Sequence, residues 1–129
     1  MIGDRDLELL ESFDGNGNVL LTAYLQLDTP ERCKSAYEEF LKLAHSRLDA
    51  CDQRPECLEA LEEDIEIVGL YLKTNGHGHR RHPGLAIFSC AAQLFWRAYP
   101  LPVALGNQVE VGRQFDVEPL KEVLRELVR

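Results

Sequence analysis

No stretch of this chain approaches the roughly 20 consecutive apolar residues that span a bilayer. Its start, Met1-Ile2-Gly3-Asp4-Arg5-Asp6, offers neither a basic n-region nor an apolar h-region. A membrane span and export are therefore not expected. The cysteines Cys33, Cys51, Cys57 and Cys90 form no Cys-x-x-Cys pair, and a domain able to build a full core has little need of disulfides. The expectation is a reduced, cytoplasmic protein without a disulfide framework. Positive charge is also short. A formal net charge of -8 argues against non-specific nucleic-acid binding, which depends on Lys and Arg displacing phosphate counterions. The deficit is uneven: residues 1–72 hold 17 acids against 6 bases, and residues 73–129 hold 5 acids against 8 bases. An anionic partner is expected to meet the second half.

Phosphate cradles are missing as well. Gly15-x-Gly17 and Gly76-x-Gly78 do not continue to Gly-x-Gly-x-x-Gly, and neither runs into Gly-Lys-Ser/Thr. Both read as turns. No internal repeat and no low-complexity tract is visible.

What is present suits one folded domain over residues 1–129, with 45% hydrophobic and 28% charged residues. The ending Leu127-Val128-Arg129 falls in or just after a predicted helix, which leaves open a segment cut from a longer protein. Asp4 is expected to cap a short helix carrying Leu7, Leu10 and Phe13, which Asp14-Gly15-Asn16-Gly17-Asn18 ends. From Val19 to Asp28, Val19, Leu21, Ala23, Leu25 and Leu27 alternate with Thr22, Tyr24 and Gln26, the period of a strand. Thr29-Pro30 is a helix start, a hydroxyl cap before proline. That helix runs to about Ala50 with a stripe of Cys33, Ala36, Tyr37, Phe40, Leu41, Ala44 and Leu48. Pro55 opens a second helix with Leu58, Leu61, Ile65, Val68 and Leu72, making an antiparallel hairpin.

A loop over residues 75–84 follows, then Leu85 to Cys90, Ala91-Ala92-Gln93, and Leu94 to Tyr99 as a β-hairpin ended by Pro100 and Pro102. Gln108 to Gly112 is a fourth strand, and Phe115 leads into a last helix with Leu120, Val123, Leu124 and Leu127. The order predicts an α/β protein of the α+β type. Its roughly four-stranded sheet is mixed or mainly antiparallel, packed by a helical hairpin and by N- and C-terminal helices.

The loop His77-x-His79-Arg80-Arg81-His82 is the densest cluster of functional side chains. Its three imidazoles suit zinc, but two guanidinium groups oppose a dication and the loop holds no Cys, Asp or Glu. A solvated polar loop is preferred. The alternative is anion or RNA-phosphate contact through Arg80 and Arg81, and no metal or cofactor is expected. Glu62, Glu63, Asp64 and Glu66 read as a solvated helix face rather than paired catalytic carboxylates. Cys90 with His82 reads as a buried thiol rather than a nucleophile and base. Phe95, Trp96 and Tyr99 read as core aromatics rather than a base-stacking platform.

Three stretches together carry a resemblance. They are Gly15-Asn16-Gly17 running into Val19 to Leu27; Pro83-Gly84-Leu85-Ala86-Ile87-Phe88-Ser89-Cys90 with Leu94-Phe95 and Leu101-Pro102 after it; and Val109-x-Val111-x-x-x-Phe115-x-x-Glu118-x-Leu120. With these the chain resembles the N-terminal domain of archaeal and eukaryotic class 1 release factors, and especially the bacterial archaeo-eukaryotic release factor family. The resemblance implies a four-stranded sheet with packed helices. It also implies codon-reading positions, met here in degenerate form. Gly17 is followed by Asn18-Val19 where the family has Gly-Thr-Ser. Residues 49–54 read Asp-Ala-Cys-Asp-Gln-Arg where the family has an Asn-Ile-Lys-Ser loop. Val109 and Val111 stand for Tyr and Cys, with Phe115 kept. The family's catalytic Gly-Gly-Gln occurs nowhere in this chain.

The expected function is that of a non-catalytic, release-factor-like domain, not an enzyme, that meets the ribosome or tRNA through Arg80, Arg81, His82 and Arg113 in termination, rescue or control. The alternative is an acidic protein-interaction module without RNA contact. A zinc enzyme using His77, His79 and His82 is the third reading.

Overall fold

The computed structural model describes residues 3–51, 54–75 and 82–127. Among these residues four helices and a four-stranded sheet make up an α+β fold, in the order α1 (Asp4–Ser12), β1 (Leu20–Gln26), α2 (Pro30–His45), α3 (Pro55–Asn75), β2 (Gly84–Cys90), β3 (Phe95–Leu101), β4 (Gln108–Gly112) and α4 (Glu118–Leu127). A 3-10 turn, Leu48–Cys51, lies between α2 and α3, and another, Ala91–Gln93, joins β2 to β3. The sheet order is β3-β2-β1-β4, antiparallel throughout.

The sheet is the middle of three layers. Leu21, Ala23, Leu25, Leu85, Ile87 and Val109 face the α2/α3 hairpin and pack on Phe40, Leu61, Ile65 and Val68. Leu20, Tyr24, Ala86, Phe88 and Leu101 face the other way, onto Leu10 of α1 and Phe115, Val117 and Leu120 leading into α4. Because both faces are covered, β2 is buried at all seven positions. Each fully buried leucine or phenylalanine contributes roughly 1.5–3 kcal/mol.

β1 alternates as its sequence predicts, but its second face is not solvent. Thr22 and Tyr24 are buried there, and both bond the chain entering α4. The Thr22 hydroxyl accepts the Asp116 N–H at 3.0 Å and the Tyr24 hydroxyl donates to the Asp116 carbonyl. Burial, then the Asp116 carboxylate, push the Tyr24 phenol upward, so it stays a neutral donor.

Several boundaries move, each for a local reason. Asp6 rather than Asp4 caps α1: its carboxylate accepts the Gly3 N–H at 2.9 Å. Thr29 caps α2 as expected, accepting the Arg32 N–H at 3.1 Å. The strand through Pro100 continues to Leu101, since β3 is an edge strand that tolerates a residue without an N–H. Leu94 is not in the strand. It closes the β2–β3 connection in the left-handed region (φ 52°), donating its N–H to the Ala91 carbonyl.

Two further expectations are corrected. Asp64 is not part of a solvated face but is 1% exposed, because it lies three residues after Leu61 and four before Val68 on the stripe turned to the sheet. Its carboxylate accepts the Ser89 hydroxyl at 2.6 Å and the Ala91 N–H at 2.8 Å. The expected absence of disulfides also fails: Cys51 and Cys57 are joined, with Cα atoms 5.5 Å apart. The 3-10 turn after α2 brings Cys51 beside the first turn of α3. Cys33 and Cys90 are free thiols.

Both sheet edges carry an arginine. On β4 the Arg47 Nε donates to the Val109 carbonyl at 3.0 Å while its Nη2 meets Glu110 at 3.1 Å. On β3 the Arg97 Nη1 donates to the Trp96 carbonyl at 2.7 Å.

Candidate functional site

At the end of the sheet where β1 begins, three chain segments converge. The first is the turn before β1. Asn16 and Gly17 both have positive φ (55° and 87°), and the Asn18 N–H donates to the Gly15 carbonyl at 3.0 Å. This is the pairing of a tight primed turn, which suits Asn-Gly at its centre. Asp14 steadies it by accepting the Asn16 N–H at 2.8 Å, and the Asn18 side-chain amide also donates to the Gly15 carbonyl at 2.9 Å. A Cβ on Gly15 would meet Leu20 Cδ2 at 2.8 Å, whereas one on Gly17 would meet nothing within 4 Å. Gly17 therefore presents open backbone.

The second segment is the start of α3. Arg54 donates its N–H at 3.0 Å and its Nε at 3.3 Å to the Cys51 carbonyl, and the disulfide at Cys57 fixes this corner. Between it and the turn lies a cleft of about 200 Å³ lined by Asn16, Gly17, Asn18, Arg54, Glu56 and Cys57. The third segment follows β4, where the exposed Arg113 donates from Nη1 to the Gly17 carbonyl at 2.9 Å. Amide side chains, the Arg54 guanidinium and the Glu56 carboxylate line this cleft, with the Arg113 guanidinium at its side on the Gly17 carbonyl; the amides and guanidinium groups are able to bond anionic or base-edge oxygens, and Glu56 opposes an anion.

The two expected RNA-contact residues that are described, Arg113 and His82, do not gather into one patch. Register places Leu20 opposite Gly112 and Gln26 opposite Gly84. Arg113 and His82 therefore flank opposite ends of β1, about 20 Å apart at 3.3 Å per strand residue. Arg80, Arg81, His77 and His79 lie outside the described residues. His82 is partly buried, and its Nδ1 is enclosed without a hydrogen-bond partner. No group of three or more His, Cys, Asp or Glu fit to hold a metal occurs among the described residues.

Of the positions matching the family's codon-reading elements, Gly17 is at the cleft. Val109 is buried and Val111 half-buried against the hairpin layer. Phe115 is buried on the opposite face, its ring 5.4 Å from that of Phe88. These three side chains hold the sheet between its layers.

Cys90 ends β2 while His82 precedes its start, so the strand's length separates them. Burial raises the Cys90 thiol and keeps it protonated. Trp96 packs on Tyr71 at 5.4 Å, and Phe95 and Tyr99 pack into the opposite layer. Arg54 was missed as a site residue, because sequence reading placed it in an acidic connection. The signal for it was Pro55, which fixes the helix start and so sets Arg54 beside the first turn.

No family model and no curated protein matches this chain. A solved structure described as "Archaeal protein" is similar in fold, with a TM-score of 0.69 at 14% identity. The match covers 93% of this chain and 34% of the other, so this domain spans about a third of that protein's length.

Proposed function

We propose that this domain is a non-catalytic, release-factor-like module that docks on the ribosome or tRNA through the end of the sheet where β1 begins. One observation carries the reading. The Gly17 turn and Arg54 line one cleft and Arg113 bonds the Gly17 carbonyl at its side, and these three places lie far apart in sequence, at or within the positions set against the codon-reading elements in the resemblance. Arg54 and Arg113 would contact phosphate there, while Asn16 and Asn18 would bond base or sugar oxygens. Val109 and Val111 are packed in the sheet, so any contact falls to the turn and the two arginines.

The test is co-sedimentation with ribosomes across a salt series, comparing wild type with an Arg54→Ala, Arg113→Ala double variant and an Arg80→Ala, Arg81→Ala double variant. Salt-sensitive pelleting lost only in the first variant supports docking at the cleft. Loss only in the second moves the contact to Arg80 and Arg81. No pelleting at low salt overturns the reading.

A second reading, a protein-interaction module, is favoured by a different feature. Helix α3 exposes five acids, Glu56, Glu59, Glu62, Glu63 and Glu66, against Lys73 alone, and its outer side borders an open groove that includes the exposed Leu70.

A further inference from the structure

Away from the sheet, α2 and α3 leave a groove of about 460 Å³ along their outer surface. Its apolar part is formed by Tyr37, Leu41, Ile65 and Leu70. Leu70 is 64% exposed, toward the end of α3. The neighbouring residue is Gly69, whose absent side chain lets the Tyr37 ring pack onto α3 as one wall of the groove, 3.0 Å from where its Cβ would sit.

Charge divides the groove lengthwise. Glu62 and Glu66 stand nearer the start of α3, where His45 of α2 also lines the groove, and neither glutamate enters an ion pair among the described residues. Lys73 stands toward the other end, its Nζ 4.5 Å from the centre of the Tyr37 ring. From Glu62 to Lys73 the helix rises about 16 Å, three turns of an incoming helix.

An occupant must bring apolar side chains for Leu70 and the Tyr37 ring, and cations for two unpaired carboxylates. We propose that the α2/α3 groove is the docking site for a short, basic amphipathic helix of a protein partner, laid parallel to α3. The direction follows from the charges. The positive end of a helix dipole belongs at Glu62 and Glu66 and the negative end at Lys73, so the partner's N-terminus lies at the carboxylate end. Anchors at i, i+3 or i+4, and i+7 fill the apolar part. This deepens the second reading by naming the partner's chemistry and owes nothing to ribosome docking.

The experiment selects helical peptides of about twelve residues from a displayed library, using the folded domain as bait and a Leu70→Asp variant as counter-bait. Leu70 is exposed, and circular dichroism verifies that the variant folds. The expected winners carry an apolar stripe with Arg or Lys in the first two turns, and they bind Leu70→Asp and Glu62→Lys/Glu66→Lys at least tenfold more weakly. A spin label on the peptide N-terminus should broaden amide signals near Glu62, and one on the C-terminus those near Lys73. Failure to enrich any sequence that prefers wild type to Leu70→Asp overturns the proposal, as do acidic winners or the reverse spin-label pattern. Self-association abolished by Leu70→Asp would seat a second copy in the groove and also overturn it. Ribosome pelleting by the Leu70→Asp variant reads the other proposal separately.

Discussion

Asp64 and Ser89, 25 positions apart and both buried, share a hydrogen bond of 2.6 Å that joins the middle of α3 to the end of β2. With the Ala91 N–H at 2.8 Å on the same oxygen, the carboxylate holds the connection in which Leu94 adopts a left-handed backbone. Replacing Asp64 with Ala leaves a buried hydroxyl and a backbone N–H without their acceptor, a loss of roughly 2–4 kcal/mol in stability. Urea denaturation of the variant and wild type measures it.

The same carboxyl gives a pH dependence. Burial holds it above its ordinary value of 3.8, outweighing the hydrogen bonds from Ser89 and Ala91 that favour the charged form. The native state then binds this proton more tightly than the unfolded chain does. That contribution is fully present below the unfolded pKa and is lost as pH rises through the higher native pKa. Asp64→Asn removes the titration, so the stability of the Asn variant relative to wild type should rise as pH increases from about 4. A difference that stays flat with pH would show that this carboxyl is not raised.

Gly84 has no room for a side chain: a Cβ would sit 2.2 Å from the Val103 carbonyl oxygen and 3.2 Å from Leu101 Cβ. Because the obstacle is backbone, it does not rotate away. Gly84→Ala should cost at least about 2 kcal/mol, read as a drop in denaturation midpoint, while Gly106→Ala, which meets open space, serves as the mild control.

Thiol counting tests the link between Cys51 and Cys57. Unfolded without reductant, the protein should titrate two thiols, Cys33 and Cys90, and after reduction four. Closing so short a loop restrains the unfolded chain by about 2 kcal/mol. Cys57→Ser should lower stability by that order.

Periodicity made the fold legible, and it failed where a polar residue sat in an apolar stripe. β1, the α2 cap, the hairpin and β4 follow from alternation, from Thr29-Pro30 and from helical spacing. Asp64 was misread because its neighbours Glu62, Glu63 and Glu66 are solvated. Only its spacing from Leu61 and Val68 marks it as inward, and its partners Ser89 and Ala91 lie on a strand end that local pattern cannot bring near. The cleft was less legible still. Gly17, Arg54 and Arg113 are united by strand register and by a disulfide within a connection too short to advertise itself, neither of which composition or charge runs reveal. Arg113 and His82 fall in the same half of the chain, yet the antiparallel sheet sends them to opposite ends.

β1 precedes both of its sheet neighbours in the chain but stands between them, where Gln26 waits for Gly84 and Leu20 for Gly112. During synthesis the first strand therefore leaves the ribosome with neither neighbour available. The hairpin of α2 and α3 can assemble meanwhile, from contacts close in sequence. The sheet closes only when β4 emerges, so folding is governed by non-local loop closure. A chain halted before Gln108 leaves the edge of β1 from Leu20 to Tyr24, which β4 covers, unpaired, an open strand edge of the kind that chaperones shield.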